Sequence, residues 1–161
     1  MSPRHRSYLL IEQGIGSGVF NVALNAAIAW LMFRGMTNVP LWGQQSIAGD
    51  TIGTAFILPL LTTLIASRVV RGHVRRGRVP ALAWPDASPG RWIPRGLTLR
   101  GVVLGVVCLL VVGFPATSAL GAAGFDEMSL GGFVAFKAFF AGVLAALVTP
   151  IVARLALADP S

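Results

Sequence analysis

The sequence has little charge, little histidine and almost no cysteine. Only 12% of its 161 residues are charged, whereas a soluble domain carries about 25%, so a water-soluble globule of this length could not cover its surface. The single cysteine, Cys108, excludes an intrachain disulfide and a cysteine-rich metal site. The two histidines, His5 and His73, stand in arginine-rich segments far from any group of carboxylates. We therefore expect no metal site.

The sequence also lacks the residue sets on which common enzyme mechanisms depend. No Ser–His–Asp set, pair of catalytic carboxylates, phosphate-binding loop or pair of haem ligands can be assembled from it. We expect no catalytic residue and no cofactor, and the sequence favours a protein that is not an enzyme.

Apolar residues are what the sequence has in abundance. Hydrophobic side chains make up 55% of the chain, and the mean hydropathy is +0.74. A bilayer core about 30 Å thick needs roughly 20 apolar helical residues to cross it. Four segments meet that requirement: 8–33, 47–70, 101–120 and 130–157. The sequence predicts one all-α integral membrane domain over residues 1–161, with four transmembrane helices in two hairpins (8–70 and 101–157) joined by an Arg- and Pro-rich cytoplasmic loop (71–100).

The first apolar segment has a second interpretation, a cleaved signal peptide. Arg4 and Arg6 precede it, as the positively charged start of a signal peptide would. Its apolar run, however, is about twice the usual length of a signal-peptide core, and Glu12, Asn21 and Asn25 interrupt it. We therefore expect a retained transmembrane helix.

The placement of the arginines predicts the orientation of the helices. Twelve of the 13 basic residues are arginine, and eleven of these lie before the first segment, between the second and third, or at the end of the fourth. Arg34 is alone on the opposite side, which also holds Asp126 and Glu127. By the positive-inside rule, both termini and the 71–100 loop are expected in the cytoplasm, and residues 121–129 outside.

The net charge of +7 could also reflect a partner. The spacing of Arg71, Arg75 and Arg78 would place three guanidinium groups on one helical face, where each could gain about 1 kcal/mol against an anionic lipid headgroup. Nucleic acid is disfavoured as a partner, because the arginines flank apolar segments and have no interleaved aromatic residues. We expect a topology signal first and contact with anionic lipid headgroups second.

The two hairpins are similar to each other in sequence. A shift of 86 residues aligns residues 55–68 with 141–154 and gives six identities in 14 positions. The identical pairs are Ala55/Ala141, Leu58/Leu144, Leu61/Leu147, Thr63/Thr149, Ile65/Ile151 and Arg68/Arg154. Because each hairpin would enter from and return to the same side, the pattern predicts a parallel repeat whose pseudo-two-fold axis lies along the membrane normal.

Glycines and prolines within the segments predict how the helices pack. Pairs of glycines four residues apart occur in three segments: Gly14/Gly18, Gly49/Gly53 and Gly101/Gly105. Such pairs let helix backbones approach closely in lipid, and we expect packing within the chain, with a second subunit as the alternative. Pro59, Pro115 and Pro150 each remove a helical hydrogen bond and are expected to bend their helices.

Polar residues within the apolar segments are the candidates for a functional site. Seven of them, drawn from all four segments, lie at similar heights in the outer half of the membrane, counted at about 1.5 Å per residue from the cytoplasmic ends: Thr117, Ser118 and the five site candidates named next. We call these five the polar patch: Asn21, Asn25, Asp50, Thr54 and Lys137. A convergence of this kind near the outer surface is the most specific feature of the sequence.

Members of the polar patch also have structural explanations. Asn21 and Asn25 are expected to hydrogen-bond across helices. Asp50 could cap its helix, and Lys137 could snorkel to the nearby interface. The alternative is a direct Asp50–Lys137 pair, because the 86-residue shift puts the two charges at nearly one height, and charges within a membrane usually face the bundle and pair.

The C-terminal half of the chain resembles a known family. The stretch Gly132-Phe-Val-Ala-Phe-Lys137-Ala-Phe-Phe-Ala, continuing to Val148-Thr-Pro150-Ile-Val-Ala-Arg154, is similar to the second helix of a bacterial family of small two-helix inner-membrane proteins of unknown function. That family's helix also has an early lysine and an apolar-Pro-apolar-Arg ending. The resemblance covers residues 101–157. It implies a bacterial inner-membrane location and brings no activity with it.

Two functional hypotheses follow from these features. The first is an accessory or structural protein that associates with a membrane partner, because the chain is small, lacks a catalytic set and carries close-packing glycine pairs. The alternative is an oligomeric small-solute transporter or channel that uses the polar patch. Four helices rarely enclose a path, so this alternative requires a homo-oligomer. An enzyme acting on a lipid ranks third.

Overall fold

Four long helices dominate the computed structural model, which describes residues 3–83, 94 and 96–158. We number them α1 (His5–Phe33), α2 (Ile47–Arg75), α3 (Leu97–Ala122) and α4 (Leu130–Leu157). Each is long and apolar enough to cross a membrane. The predicted set of four long apolar helices is therefore confirmed within the described part of the chain.

The predicted loop over residues 71–100 is shorter in the structure. α2 continues to Arg75, and α3 begins at Leu97. Residues 84–93 and 95 of this loop lie outside the described residues. The expectation that Arg78 shares a helical face with Arg71 is wrong, because Gly77, at φ 68°, follows the end of α2 in the left-handed conformation that commonly terminates helices.

Serine side chains begin both α2 and α4. Ser46 Oγ accepts a hydrogen bond from the backbone N–H of Gly49 at 3.1 Å, and Ser129 Oγ accepts one from Gly132 at 3.2 Å. This satisfies one of the four N–H groups that a helix start leaves without a helical partner. Asp50 is therefore not the cap of α2, as one of our alternatives held. It lies in the first turn.

Two of the helices contain π-helical stretches. In α1, Tyr8–Ile15 is π-helical between the α-helical Pro3–Ser7 and Gly16–Phe33. In α3, a π-helical turn at Leu109–Gly113 directly precedes Pro115. Local π adjustments are one way in which membrane helices accommodate a proline, which has no N–H to donate. Pro59 and Pro150, in contrast, lie within uninterrupted α-helix.

A short antiparallel sheet joins the two interhelical connections at one end of the bundle. β1 (Asn38–Pro40) pairs with β2 (Glu127–Ser129), and Val39 lies opposite Met128. The sequence predicts no strand here, because three-residue strands carry too little pattern to be recognised. We call this the strand end, and the opposite end, which holds Arg71, Arg75 and Arg154, the arginine end.

The helices pack in the order α1–α4–α2–α3. α1 packs against α4 rather than mainly against α2, to which it is directly connected, and α3 packs against α2. α4 is the most buried of the four helices. The centre of the bundle is therefore formed by the second helix of each hairpin, and each first helix lies on the other hairpin.

Glycines allow the close approach of α1 to α4. A Cβ atom on Gly18 would lie 3.1 Å from Ala146 Cβ and 3.2 Å from the carbonyl oxygen of Gly142. A Cβ atom on Gly14 would lie 3.4 Å from the ring of Pro150. This glycine pair packs within the chain, as expected.

The other two glycine pairs differ from each other. A Cβ atom on Gly101 would lie 2.8 Å from the side chain of Leu60, and one on Gly105 would lie 2.8 Å from the carbonyl oxygen of Phe56. This pair therefore packs α3 against α2. The expected packing within the chain fails for the pair Gly49/Gly53 at the start of α2. A side chain on Gly53 would meet nothing within 4 Å, so Gly53 faces open space rather than a helix.

Candidate functional site

The charged members of the polar patch form a buried ion pair between the two central helices. The Nζ atom of Lys137 on α4 donates to the carboxylate of Asp50 on α2 and to the hydroxyl of Thr54. The Lys137 side chain is only 3% exposed, and the Asp50 side chain is 10% exposed. Thr54 in turn donates to the backbone carbonyl of Asp50 at 2.8 Å. The direct pair is the alternative that the structure confirms, and Lys137 does not snorkel.

The two asparagines of the polar patch lie on α1 and bond within their own helix. Asn21 Nδ2 donates to the carbonyl of Ser17 at 2.9 Å, and Asn25 Nδ2 donates to the carbonyl of Asn21 at 3.1 Å. The expectation that they bond across helices is therefore wrong. A carbonyl one turn back on the same helix is always within reach of such a side chain, whereas α2 is set apart from α1 at this height.

A groove separates α1 from α2, and α4 forms its floor. Its volume is about 640 Å³. The side chains that line it come from α1 (Gln13, Ser17, Phe20, Asn21, Leu24, Asn25, Ile28, Met32), α2 (Asp50, Gly53, Thr54, Ile57, Leu58, Leu61, Thr62, Ile65, Ala66, Val69) and α4 (Lys137, Thr149). All five members of the polar patch are among them, so the structure brings the whole patch into one site.

The groove opens sideways, toward the side of the bundle that lipid would cover. Its walls include large apolar side chains that are well exposed, among them Phe20 on α1 and Ile57, Leu61 and Ile65 on α2. α1 and α2 meet again beyond the groove at the arginine end. There the groove is closed by side-chain contacts, described next.

Polar contacts tie α1 to the end of α2 and to the residues that follow it, and among them is a hydrogen bond of 2.9 Å between His5 Nε2 and the carbonyl oxygen of Pro80. The hydroxyl of Tyr8 and Nδ1 of His73 lie 2.9 Å apart in a hydrogen bond. Arg78 pairs with Glu12 at 3.1 Å, with both side chains largely exposed. These contacts close the arginine end of the groove.

A second group of polar residues lines the groove nearer the arginine end, and the sequence analysis did not single it out. Gln13, Ser17, Thr62 and Thr149 form this group. Thr149 is only 4% exposed, and its hydroxyl has no hydrogen-bond partner among the residues that the structure describes. It lies 12 residues from Lys137 on α4, or about 18 Å along the helix. Its identity with Thr63 in the shifted alignment was the one signal available, but that alignment does not indicate a groove.

The lining of the groove combines a few polar groups with apolar walls. Among residues 3–83, 94 and 96–158, no group of three or more His, Cys, Asp or Glu side chains is placed to hold a metal ion. The groove offers one carboxylate, one ammonium, three amides and several hydroxyls within apolar walls. A mostly apolar pocket with a few placed polar groups is the usual form of a site that binds a small molecule or lipid.

Comparison with known proteins finds no matching family model, no similar protein among curated sequences and no similar solved structure. The resemblance of residues 101–157 to two-helix membrane proteins stays a prediction.

Proposed function

We propose that the chain is a multipass accessory protein of a bacterial inner membrane, without catalytic activity, that associates with a membrane partner through the groove between α1 and α2. The sideways opening of this groove carries the proposal. Because contacts between α1 and the α2 region close the arginine end and exposed apolar side chains form the walls, a partner would reach the polar patch within the plane of the membrane.

The distribution of charge supports an orientation for this protein. The arginine end holds His73, Arg75 and Arg154, whereas Asp126 and Glu127 lie at the strand end. By the positive-inside rule the arginine end faces the cytoplasm. The partners proposed for the arginines are anionic lipid headgroups, and nucleic acid is not among them.

The packing supports the proposed parallel repeat. In the proposed repeat, α1 corresponds to α3 and α2 corresponds to α4. The α1–α4 interface therefore corresponds to an α3–α2 interface, and the structure contains both. The glycine contacts correspond as well: Gly18 lies against Gly142, and Gly105 lies against Phe56, which is 86 residues before Gly142. These are the contacts that the proposed pseudo-two-fold axis between α2 and α4 would relate, with a shift of 86 residues from Phe56 to Gly142 and of 87 residues from Gly18 to Gly105.

Burial along the two central helices supports the same repeat. Of the six identical pairs, Ala55/Ala141, Leu58/Leu144 and Thr63/Thr149 are buried at both positions, and Leu61/Leu147 and Ile65/Ile151 are exposed at both. The repeat is unequal at the groove, since Gly53 corresponds to Phe139. We propose that duplication produced the scaffold and that divergence left the groove in the first hairpin.

Photo-crosslinking within native membranes tests the proposed partner site. A photoreactive amino acid in place of Leu61, in the groove, is expected to give a discrete adduct on ultraviolet irradiation. The same amino acid in place of Leu147 is the matched control, because the two leucines are 48% and 63% exposed and occupy corresponding positions of the repeat. Equal yields of the same adducts at both positions would mean that the groove has no partner of its own.

The transporter hypothesis remains the second candidate, and one observation favours it. The groove carries polar groups at two heights, at Lys137 and at Thr149, which are about 18 Å apart along α4. A homo-oligomer would be required to enclose a path from one to the other. The mass of the detergent-solubilised protein tests this candidate, and a strict monomer contradicts it.

A further inference from the structure

The dimensions of the groove limit what can enter it. The lining residues of α2 run from Asp50 to Val69, which corresponds to about 28 Å along the helix. A segment of α-helix of that length, with a diameter of about 10 Å, occupies about 2,200 Å³, whereas the volume of the groove is about 640 Å³. A partner helix could therefore lie across the mouth of the groove but could not enter it.

An extended hydrocarbon chain is narrow enough to enter the groove. Carbon atoms in contact are about 3.5–4.0 Å apart, so a single chain needs roughly 20 Å² of cross-section. The middle of the groove is lined by apolar side chains, including Leu24, Ile57, Leu58 and Leu61. These surfaces match a chain of methylene groups along the membrane normal.

The polar end of the groove defines the other part of the occupant. The oppositely charged Asp50 and Lys137 lie side by side in the lining of this end, with the Asp50 side chain the more exposed of the two, and Asn25 lines the facing wall. A single excess charge on the occupant would be attracted to one member of the pair and repelled by the other. A headgroup that itself carries both charges can be complementary to both members at once.

We propose that the groove binds one zwitterionic long-chain lipid of the outer leaflet, with one hydrocarbon chain between α1 and α2 and the headgroup at the Asp50–Lys137 pair. This inference rests on the proposed function in that it names the membrane partner which the groove takes. The lipid enters through the lateral opening, and the exposed walls of the groove become covered when it is bound.

Native mass spectrometry of the purified full chain tests this proposal. The probes are phosphatidylethanolamine, which is zwitterionic, and phosphatidylglycerol, which is anionic, with identical hydrocarbon chains. Gly53→Phe is the blocking variant, because a side chain on Gly53 meets nothing within 4 Å and Gly53 lines the groove. Gly72→Phe is the control on the same helix: it too meets nothing within 4 Å, but it lies outside the groove.

We expect one phosphatidylethanolamine molecule to stay bound to the wild type and to Gly72→Phe, with binding reduced about tenfold or more in Gly53→Phe, a change of about 1.4 kcal/mol. Circular dichroism and thermal unfolding establish that all three proteins are folded. A variant with Asn25→Leu supplies a second measurement. It leaves the width of the groove open and is expected to reduce the preference for phosphatidylethanolamine over phosphatidylglycerol.

Three outcomes would overturn the inference. Equal lipid retention by wild type and Gly53→Phe would place the bound lipid outside the groove. Stronger retention of phosphatidylglycerol than of phosphatidylethanolamine would contradict the role of the charge pair. A protein adduct from a photoreactive residue at Leu61, without retained lipid, would refute the lipid occupant while leaving the proposed partner site intact.

Discussion

Removing one member of the Asp50–Lys137 pair should be far more damaging than removing both. In Asp50→Ala, the Lys137 ammonium keeps only the hydroxyl of Thr54 as a hydrogen-bond acceptor while its side chain stays 3% exposed. An unpaired charge buried in this way costs about 3–5 kcal/mol. In Lys137→Ala, the Asp50 carboxylate is left in the first turn of α2, where the helix dipole offsets about 0.3–1 kcal/mol. We therefore expect a smaller loss.

The double variant contains no stranded charge, so its loss should fall well short of the sum of the two single losses. We expect a coupling free energy of about 2–3 kcal/mol. In a chain of this size, each 1 kcal/mol shifts the melting temperature by about 2–4 °C. Asp50→Ala alone should therefore lower it by about 6–20 °C. Replacement of both residues by Leu and Met, which fill more of the space, should recover more stability than replacement by alanine.

Thermal unfolding in one detergent, followed by circular dichroism, measures all four corners of this cycle. The Glu12–Arg78 pair provides an internal control, because its side chains are 45% and 58% exposed. Exposed pairs contribute about 0.2–1 kcal/mol, so the same cycle there should give a small coupling. Our reasoning about the buried pair is refuted if its coupling energy is no larger than that of the exposed pair, or if the two single losses simply add.

Three further measurements check the rest of the structure. A cysteine at Ser129 should react with an impermeant thiol reagent in intact cells and one at Ala81 should not; the reverse result would invert the proposed orientation. Gly105→Ala should destabilise the chain by about 1–3 kcal/mol in thermal unfolding, because its Cβ would meet the backbone of α2 at 2.8 Å. Gly53→Ala should be neutral or stabilising by up to about 1 kcal/mol. Equal effects of the two substitutions would contradict the packing of α3 on α2. Tyr8→Phe removes the hydrogen bond to the α2 region and should cost about 0.5–1.5 kcal/mol in the same assay, so an unchanged stability would show that this contact does not close the groove.

The sequence carried enough information to predict the helices and the heights of their polar residues. Helix number follows from the lengths of the apolar runs, and the heights of Asp50 and Lys137 follow from the rise per residue. The Asp50–Lys137 pair could be predicted as an alternative because a charge within an apolar run needs a partner of opposite charge. Asp50 and Lys137 are opposite in charge and lie at nearly the same height.

Helix neighbours were harder to predict than helix positions. The sequence contains glycine pairs in three segments, but nothing local distinguishes Gly105, which contacts α2, from Gly53, which faces the groove. The bonds of Asn21 and Asn25 were predicted wrongly for the same reason. Their direction depends on the separation of α1 from α2, which is set by the packing of both helices on α4.

The crossing of the hairpins has a consequence for how the protein is made. α1 emerges from the ribosome first, but the helix against which it packs, α4, is synthesised last. At about 5–20 residues per second, the roughly 100 intervening residues delay that contact by roughly 5–20 seconds. During this interval Asp50 also lacks its partner, Lys137. A nascent chain released before residue 130 would lack α4, the helix against which both α1 and α2 pack.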